Sequence, residues 1–199
     1  MKILAFSDLH LDTVAAEKLV SAAHSADVVI GAGDFGIRQQ GLSEFVEMLG
    51  AIEAPTLLVP GNHDDIDGLR HACAGWQGAS VLHGEAATVC GIHFFGLGYE
   101  TPRVCREDWS RHLDDKNAVQ MLQACPRGGV LITHTPPLGV ADMQADGSHE
   151  GSAAIRAIVE KRQPRLHVCG HIHHSGGVSG KIGACAVHNV GPVPTWLSL

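Results

Sequence analysis

The chain has 199 residues, 45% hydrophobic and 18% charged, with a formal charge of −7 when histidines are neutral. That length suits one domain spanning residues 1–199, while the acidic balance and the lack of any lysine or arginine run argue against long nucleic acid, which needs a basic stripe to displace counterions. Aromatic residues at 5% provide no base-stacking platform, and no stretch approaches the roughly 18 apolar residues of a membrane span.

In chain order, Lys2–Ser7 is a short apolar run ending at Asp8, too short for a secretory leader. Asp12 or Thr13 can cap a helix reaching about Ser25, with Val14, Leu19 and Val20 among its apolar positions. Asp27–Ile30 reads as a strand broken by Gly31-Ala32-Gly33. Leu42–Ile52 carries helical periodicity, and Thr56–Val59 is a third strand stopped by Pro60-Gly61. Ser80–Leu97 holds short β-like runs between glycines and reads as a second sheet made of hairpins. A polar stretch, Thr101–Asp115, leads into a helix at Asp114–Ala124. Then come a strand at Val130–Thr133, a helix at Ser152–Arg162, strands at Leu166–Cys169 and Ala184–Val190, and an edge strand at Trp196–Leu199. The alternation predicts an α/β fold with two sheets flanked by helices.

The six cysteines (Cys73, Cys90, Cys105, Cys125, Cys169, Cys185) form no C-x-x-C pair. They read as buried small hydrophobes in a reducing compartment, and a cytoplasmic location without a membrane partner is expected.

The fourteen histidines are the compositional oddity. Several fall in five polar clusters, four of which directly follow a strand: Ser7-Asp8-Leu9-His10, Gly33-Asp34, Gly61-Asn62-His63-Asp64, Thr133-His134-Thr135 and Gly170-His171-Ile172-His173. Ligands bind outside the carboxyl ends of strands in α/β sheets, so these clusters can converge. On an extended chain Asp8 and His10 would share a face, as would His171 and His173. Carboxylate, imidazole and amide oxygens together suit manganese, iron, zinc or nickel. Seven ligands (Asp8, His10, Asp34, Asn62, His134, His171 and His173) are too many for one such ion but serve two sharing a carboxylate, for which Asp34 is the choice. Two divalent ions, Asp8, Asp34 and a bridging hydroxide leave a charge of +1. That favours a phosphate ester attacked by the hydroxide, with His63 as general acid on the leaving group. Asp64 is the nearest acceptor in sequence to hold the His63 ring. Arg38 is equally readable as a phosphate contact or a solvated arginine. Gly139–Gly151 reads as a surface loop, the remaining histidines, including His149 and His167, as ordinary core or surface residues, and His174 as pointing away from His173, behind the ligands or into solvent.

These motifs, in this order from position 8 to 173, resemble the calcineurin-like metallophosphoesterase superfamily. The resemblance implies a four-layer αββα sandwich of two mixed β-sheets, a hydrolase and a binuclear centre. It assigns Asp8, His10 and His173 to one metal, Asn62, His134 and His171 to the other, Asp34 to the bridge and His63 to the catalytic acid. Ile37 and Pro60 stand where members similar to protein serine/threonine phosphatases carry an acid and an arginine, so small bacterial phosphodiesterase-like members are the better likeness. A small phosphate ester is the expected substrate. The alternative is a non-catalytic interaction scaffold on the same fold.

Overall fold

The computed structural model describes every residue except Arg106, which lies inside the polar stretch Thr101–Asp115. The elements run β1 Lys2–Phe6, α1 Thr13–Ala23, β2 Val28–Gly31, α2 Leu42–Leu49, β3 Thr56–Leu58, α3 Ile66–Ala72, β4 Ala79–Val81, β5 Glu85–Val89, β6 Ile92–Leu97, α4 Asp115–Leu122, β7 Val130–Thr133, α5 Ala153–Arg162, β8 Leu166–Cys169, a 3₁₀ turn His173–Ser175, β9 Ser179–Ile182, β10 Cys185–Asn189 and β11 Thr195–Ser198.

One sheet has the order β11-β1-β2-β3-β4 and the other β5-β6-β7-β8-β10-β9. Both are mixed. In the first, β1 to β4 are parallel and β11 is antiparallel. In the second, β6, β7, β8 and β10 are parallel between antiparallel edges β5 and β9. Strand alternation then sorts the apolar side chains into three cores. Leu4 and Phe6 of β1 pack outward with Leu19, Phe45 and Leu49 of α1 and α2. Ile3 and Ala5 point the other way and meet Phe94, Val130 and Val168 of the second sheet. Phe95, Leu131 and Val187 pack against Leu122 of α4 and Ile155 of α5. Helices, sheet, sheet and helices thus form four layers, as expected.

Helix starts follow local chemistry. The side chains of Asp12, Asp114 and Ser152 accept backbone N–H bonds from Ala15, Asn117 and Ile155, satisfying donors the helix cannot. Several sequence expectations need correction. Val14 is 57% exposed, because α1 buries the stripe Ala16, Leu19, Ala23 on which Val14 does not fall. Ile52 is buried but lies past the end of α2. The region after Ser80 is not a sheet of hairpins: β4 pairs parallel with β3 in the first sheet, and only β5 and β6 form a hairpin. Helix α3 is short, contains Gly68 and buries only Leu69, so it lacks an amphipathic signal. Four cysteines are buried, whereas Cys90 is exposed at the β5–β6 turn and Cys105 half-buried, and all six are free.

One ordinary-looking histidine has a measurable consequence. His167 of β8 is fully buried; the Thr133 hydroxyl donates to the Thr135 carbonyl at 2.5 Å and so accepts from His167 Nε2 at 2.8 Å. Among the described residues Nδ1 has no partner, and burial pushes the ring's pKa down to about 3. The folded ring therefore stays neutral while the unfolded one, near 6.5, takes up a proton as pH falls below that value. Stability should be lost progressively between about pH 6.5 and 3, by about 2 kcal/mol at pH 5. Denaturant titrations at pH 7.5 and 5 should show the wild type losing that much more than a His167→Leu chain; equal losses would refute it.

Candidate metal centre

The loops following β1, β2, β3, β7 and β8 meet at one end of the two sheets and are tied by backbone bonds. The Asp8 and His10 amides donate to the Gly33 and Asp34 carbonyls at 2.9 and 3.0 Å, and the Gly170 amide to the His134 carbonyl at 2.9 Å. Asn189 of β10 adds a side-chain tie, donating from Nδ2 to the Gly170 and Ile172 carbonyls at 3.1 Å each. The backbone here is not extended: Asp8, His10, Asp34 and His171 have φ of 56°, 44°, 59° and 69°, and His173 opens the 3₁₀ turn. The shared-face argument from an extended chain therefore does not apply, and left-handed turns aim the side chains instead. Each such residue costs on the order of 1–3 kcal/mol and persists because its surroundings over-determine it. Two glycines clear space. A Cβ at Gly61 would land on the Asp34 carboxylate, and one at Gly170 would collide with Ser7 and reach within 2.6 Å of Asp8 Oδ2.

All seven expected ligands gather here, in two groups. In the first, ligand atoms of Asp8, His10, Asp34 and His173 lie within 4.8 Å of one another. His10 Nε2 is 3.2 Å from His173 Nε2 and 3.6 Å from Asp34 Oδ2, and His173 Nε2 is 3.6 Å from Asp8 Oδ1. In the second, His134 Nε2 is 3.0 Å from Asn62 Oδ1 and 3.5 Å from the same Asp34 Oδ2. The His171 ring lies 4.9 Å from the His134 ring, centroid to centroid, and its amide donates to both Asp8 oxygens at 3.1 Å. Two donors bound at about 2.1 Å to one cation and subtending 90–120° stand about 3.0–3.6 Å apart, so the close pairs of the first group and the Asn62–His134–Asp34 contacts of the second have the spacing of donors on a cation. The ring orientations fit too: His134 Nδ1 faces the Ala32 carbonyl at 2.8 Å and His10 Nδ1 the Gly36 carbonyl at 3.3 Å, which turns Nε2 of each ring toward the centre.

The electrostatics call for positive charge. Burial alone would raise Asp34, but His134, with smaller help from His63 and His10, holds it well below the usual carboxylate range. Burial would likewise raise Asp8, yet His173 and His134 keep it low. In reply His134, which burial would depress, is pushed up to about 9 by the Asp34 and Asp8 charges.

Asp64 does not hold the His63 ring. It is fully buried, and its carboxylate accepts the amides of Asp34, Phe35 and Gly61 on Oδ2 at 2.8, 3.2 and 2.9 Å, and of Gly36 on Oδ1 at 2.9 Å. The His63 ring is held at Nδ1 by the Arg38 amide, which donates at 3.0 Å. Its own amide donates to Asp34 Oδ1 at 2.8 Å. The ring packs against His10 and Trp109, with centroids 4.7 and 4.4 Å away, and burial, opposed by the Asp34 charge, lowers its pKa. Arg38 is exposed, with its guanidinium 5.4 Å from the centroid of Trp109. The Gly139–Gly151 loop is tied down rather than loose: buried Asp142 takes the Gly139 and Gly151 amides and His149 Nδ1, and Ser175 donates to the Met143 carbonyl.

Two residues at the centre escaped the sequence reading. Trp109 lies on the His63 ring, and Glu100, 2% exposed, points Oε1 at His171 Nε2 from 3.6 Å. Glu100 follows β6 as the five clusters follow their strands, a signal that could have found it.

A model of the calcineurin-like phosphoesterase superfamily domain matches residues 1–197. The chain belongs to that superfamily. Its members are metal-dependent, and phosphoester hydrolysis is their general chemistry. Among similar proteins, UPF0046 protein K07C11.7 of Caenorhabditis elegans is 30% identical over 203 residues, covering 89% of this chain and 65% of the relative. A probable cyclic nucleotide phosphodiesterase of Synechococcus is 29% identical over 163 residues, covering 76% of this chain and 59% of the relative. The chain therefore spans less than two thirds of the length of these relatives. The crystal structure of TT1561 from Thermus thermophilus shares the fold, with a TM-score of 0.77 over 96% of this chain and 88% of that one at 21% identity. Among the described residues, no helix is long and apolar enough to cross a membrane.

Proposed function

We propose that this chain hydrolyses phosphate esters of small or flexible substrates with two divalent cations. Asp8, His10 and His173 would hold one, Asn62, His134 and His171 the other, and Asp34 would bridge them. The observation that carries this reading is the position of a single oxygen, Asp34 Oδ2, which is 3.6 Å from His10 Nε2 and 3.5 Å from His134 Nε2 and so serves both groups. Bound cations supply an activated water and offset the charge of the phosphoryl group. The Ala32 and Gly36 carbonyls hold Nδ1 of His134 and His10 and so aim Nε2 of each ring at the cations, which would take the place of an Nε2 proton. A net charge of −7 makes a small substrate a better partner than nucleic acid.

His63 acts on the leaving group. With the Arg38 amide on Nδ1, the neutral ring carries its proton on Nε2 and donates it in a hydrogen bond to the departing oxygen. The same amide opposes a second proton, which refines the general acid expected from sequence into a neutral donor. His63→Ala should lower kcat by about 10²-fold on an alkyl phosphodiester, and by less on an aryl one whose leaving oxygen needs little help. Manganese content, measured by elemental analysis, should stay at the wild-type value. Unchanged turnover on the alkyl ester would remove His63 from the reaction. A chain that binds manganese but turns over no ester would favour the scaffold reading.

A further inference from the structure

The carboxylate of Glu100 stands beside the second ligand group without an assigned role. It is nearly inaccessible, and its backbone is fixed by a strap that folds back on itself: the Glu100 amide donates to the Arg111 carbonyl at 3.1 Å, the Leu113 amide to the Glu100 carbonyl at 2.8 Å, and the Arg111 amide to the Asn62 carbonyl at 2.9 Å. The Cys105 amide donates to Oε1 at 3.0 Å and to Oε2 at 3.2 Å. Asn62 Nδ2 donates to Ser110 Oγ at 3.3 Å, and Ser110 Oγ reaches Glu100 Oε2 at 3.5 Å. That chain turns Asn62 Oδ1 toward His134 Nε2 and leaves Glu100 Oε1 facing His171 Nε2 at 3.6 Å. The last separation is too long for a hydrogen bond. It is within the edge length of two donors on one cation, close to the 3.5 Å between His134 and Asp34 across this group.

We propose that Glu100 is a further protein ligand of the second cation, and that its charge makes the centre select phosphodiesters over phosphomonoesters. The proposal rests on the two-cation reading above. Counted without Glu100, that centre carries +1 and does not discriminate. A third carboxylate brings it to zero. A singly charged diester then leaves −1 in the occupied site and a doubly charged monoester −2, so the monoester meets uncompensated repulsion in a poorly solvated cleft.

The test titrates manganese into the metal-stripped full chain by calorimetry, and measures kcat/KM on an aryl phosphodiester and an aryl phosphomonoester at saturating manganese. Wild type should take up two equivalents. Glu100→Gln should keep the first unchanged and bind the second at least about tenfold more weakly, and its diester-to-monoester ratio should fall by about tenfold. Glu100→Asp keeps the charge but draws the oxygens back by a methylene. It should weaken the second equivalent while preserving the ratio, and it decides the matter if the glutamine chain does not fold by circular dichroism. Two equivalents of unchanged affinity in the variants would overturn the ligand role and leave the two-cation reading standing. A weakened second equivalent with an unchanged ratio in Glu100→Gln would overturn the selectivity. A wild-type chain that takes up no manganese would bring down the two-cation reading and this proposal with it.

Discussion

Asp34→Asn should abolish turnover, lowering kcat/KM by at least about 10³-fold, the scale lost when a preorganised charge-stabilising group is removed. The oxygen at stake, Oδ2, faces both ligand groups at 3.6 and 3.5 Å, so the amide would weaken two cation sites at once. Asparagine suits the site sterically, because it tolerates the left-handed φ of 59° at this position, and its Oδ1 can still accept the His63 amide. The loss would therefore be one of charge. Elemental analysis should find less than one manganese per chain, whereas a loss confined to one equivalent would show that Asp34 serves one cation alone. His134 supplies a second readout: with the Asp34 charge gone, its proton affinity, now pushed up to about 9 chiefly against burial by that charge, should fall.

Asp64→Ala should be the most destabilising substitution near the centre, although Asp64 touches no expected substrate. Its carboxylate receives four backbone amides, those of Asp34, Phe35, Gly36 and Gly61, and is wholly buried. Alanine would strand these donors away from water, and a single buried unsatisfied group already costs about 1–3 kcal/mol. A loss of at least about 3 kcal/mol is expected, which for a chain of this size lowers the thermal midpoint by about 6–12 °C. Asp64→Asn should lose less, because its carbonyl oxygen still accepts while its amino group faces amides it cannot serve. A shift under about 2 °C for the alanine chain would show that water reaches the freed amides. The experiment belongs in the metal-stripped protein, where cation binding cannot mask the loss.

Much of this architecture was legible in the residues. Runs such as Val130–Thr133 and Leu166–Cys169 are buried throughout and mostly apolar because parallel strands are covered on both faces, and each ends in a polar cluster that the structure carries to a common point. The illegible parts share a cause: they depend on backbone geometry or on contacts distant in sequence. The holder of His63 is the Arg38 amide, 25 positions away, and an amide has no letter of its own. Asp64, adjacent to His63, was the natural choice by proximity, yet the turn points it at the neighbouring amides. Glu100 was passed over because the polar stretch after it offered no periodicity. β9, reading Ser-Gly-Lys-Ile, was missed because an edge strand with one buried residue carries little alternation.

The ligand groups draw on both sheets. Asp8, His10, Asp34 and Asn62 follow strands of the first, while His134, His171 and His173 follow strands of the second. On the proposed reading each cation is gripped from both sides of the seam filled by Ile3, Ile30, Phe94 and Val130. Loading would then fasten the two halves of the molecule like rivets through facing plates, and parting them would require breaking coordination as well as wetting the interior. Cation supply would thus govern how long the folded chain endures, quite apart from whether it has any ester to cleave.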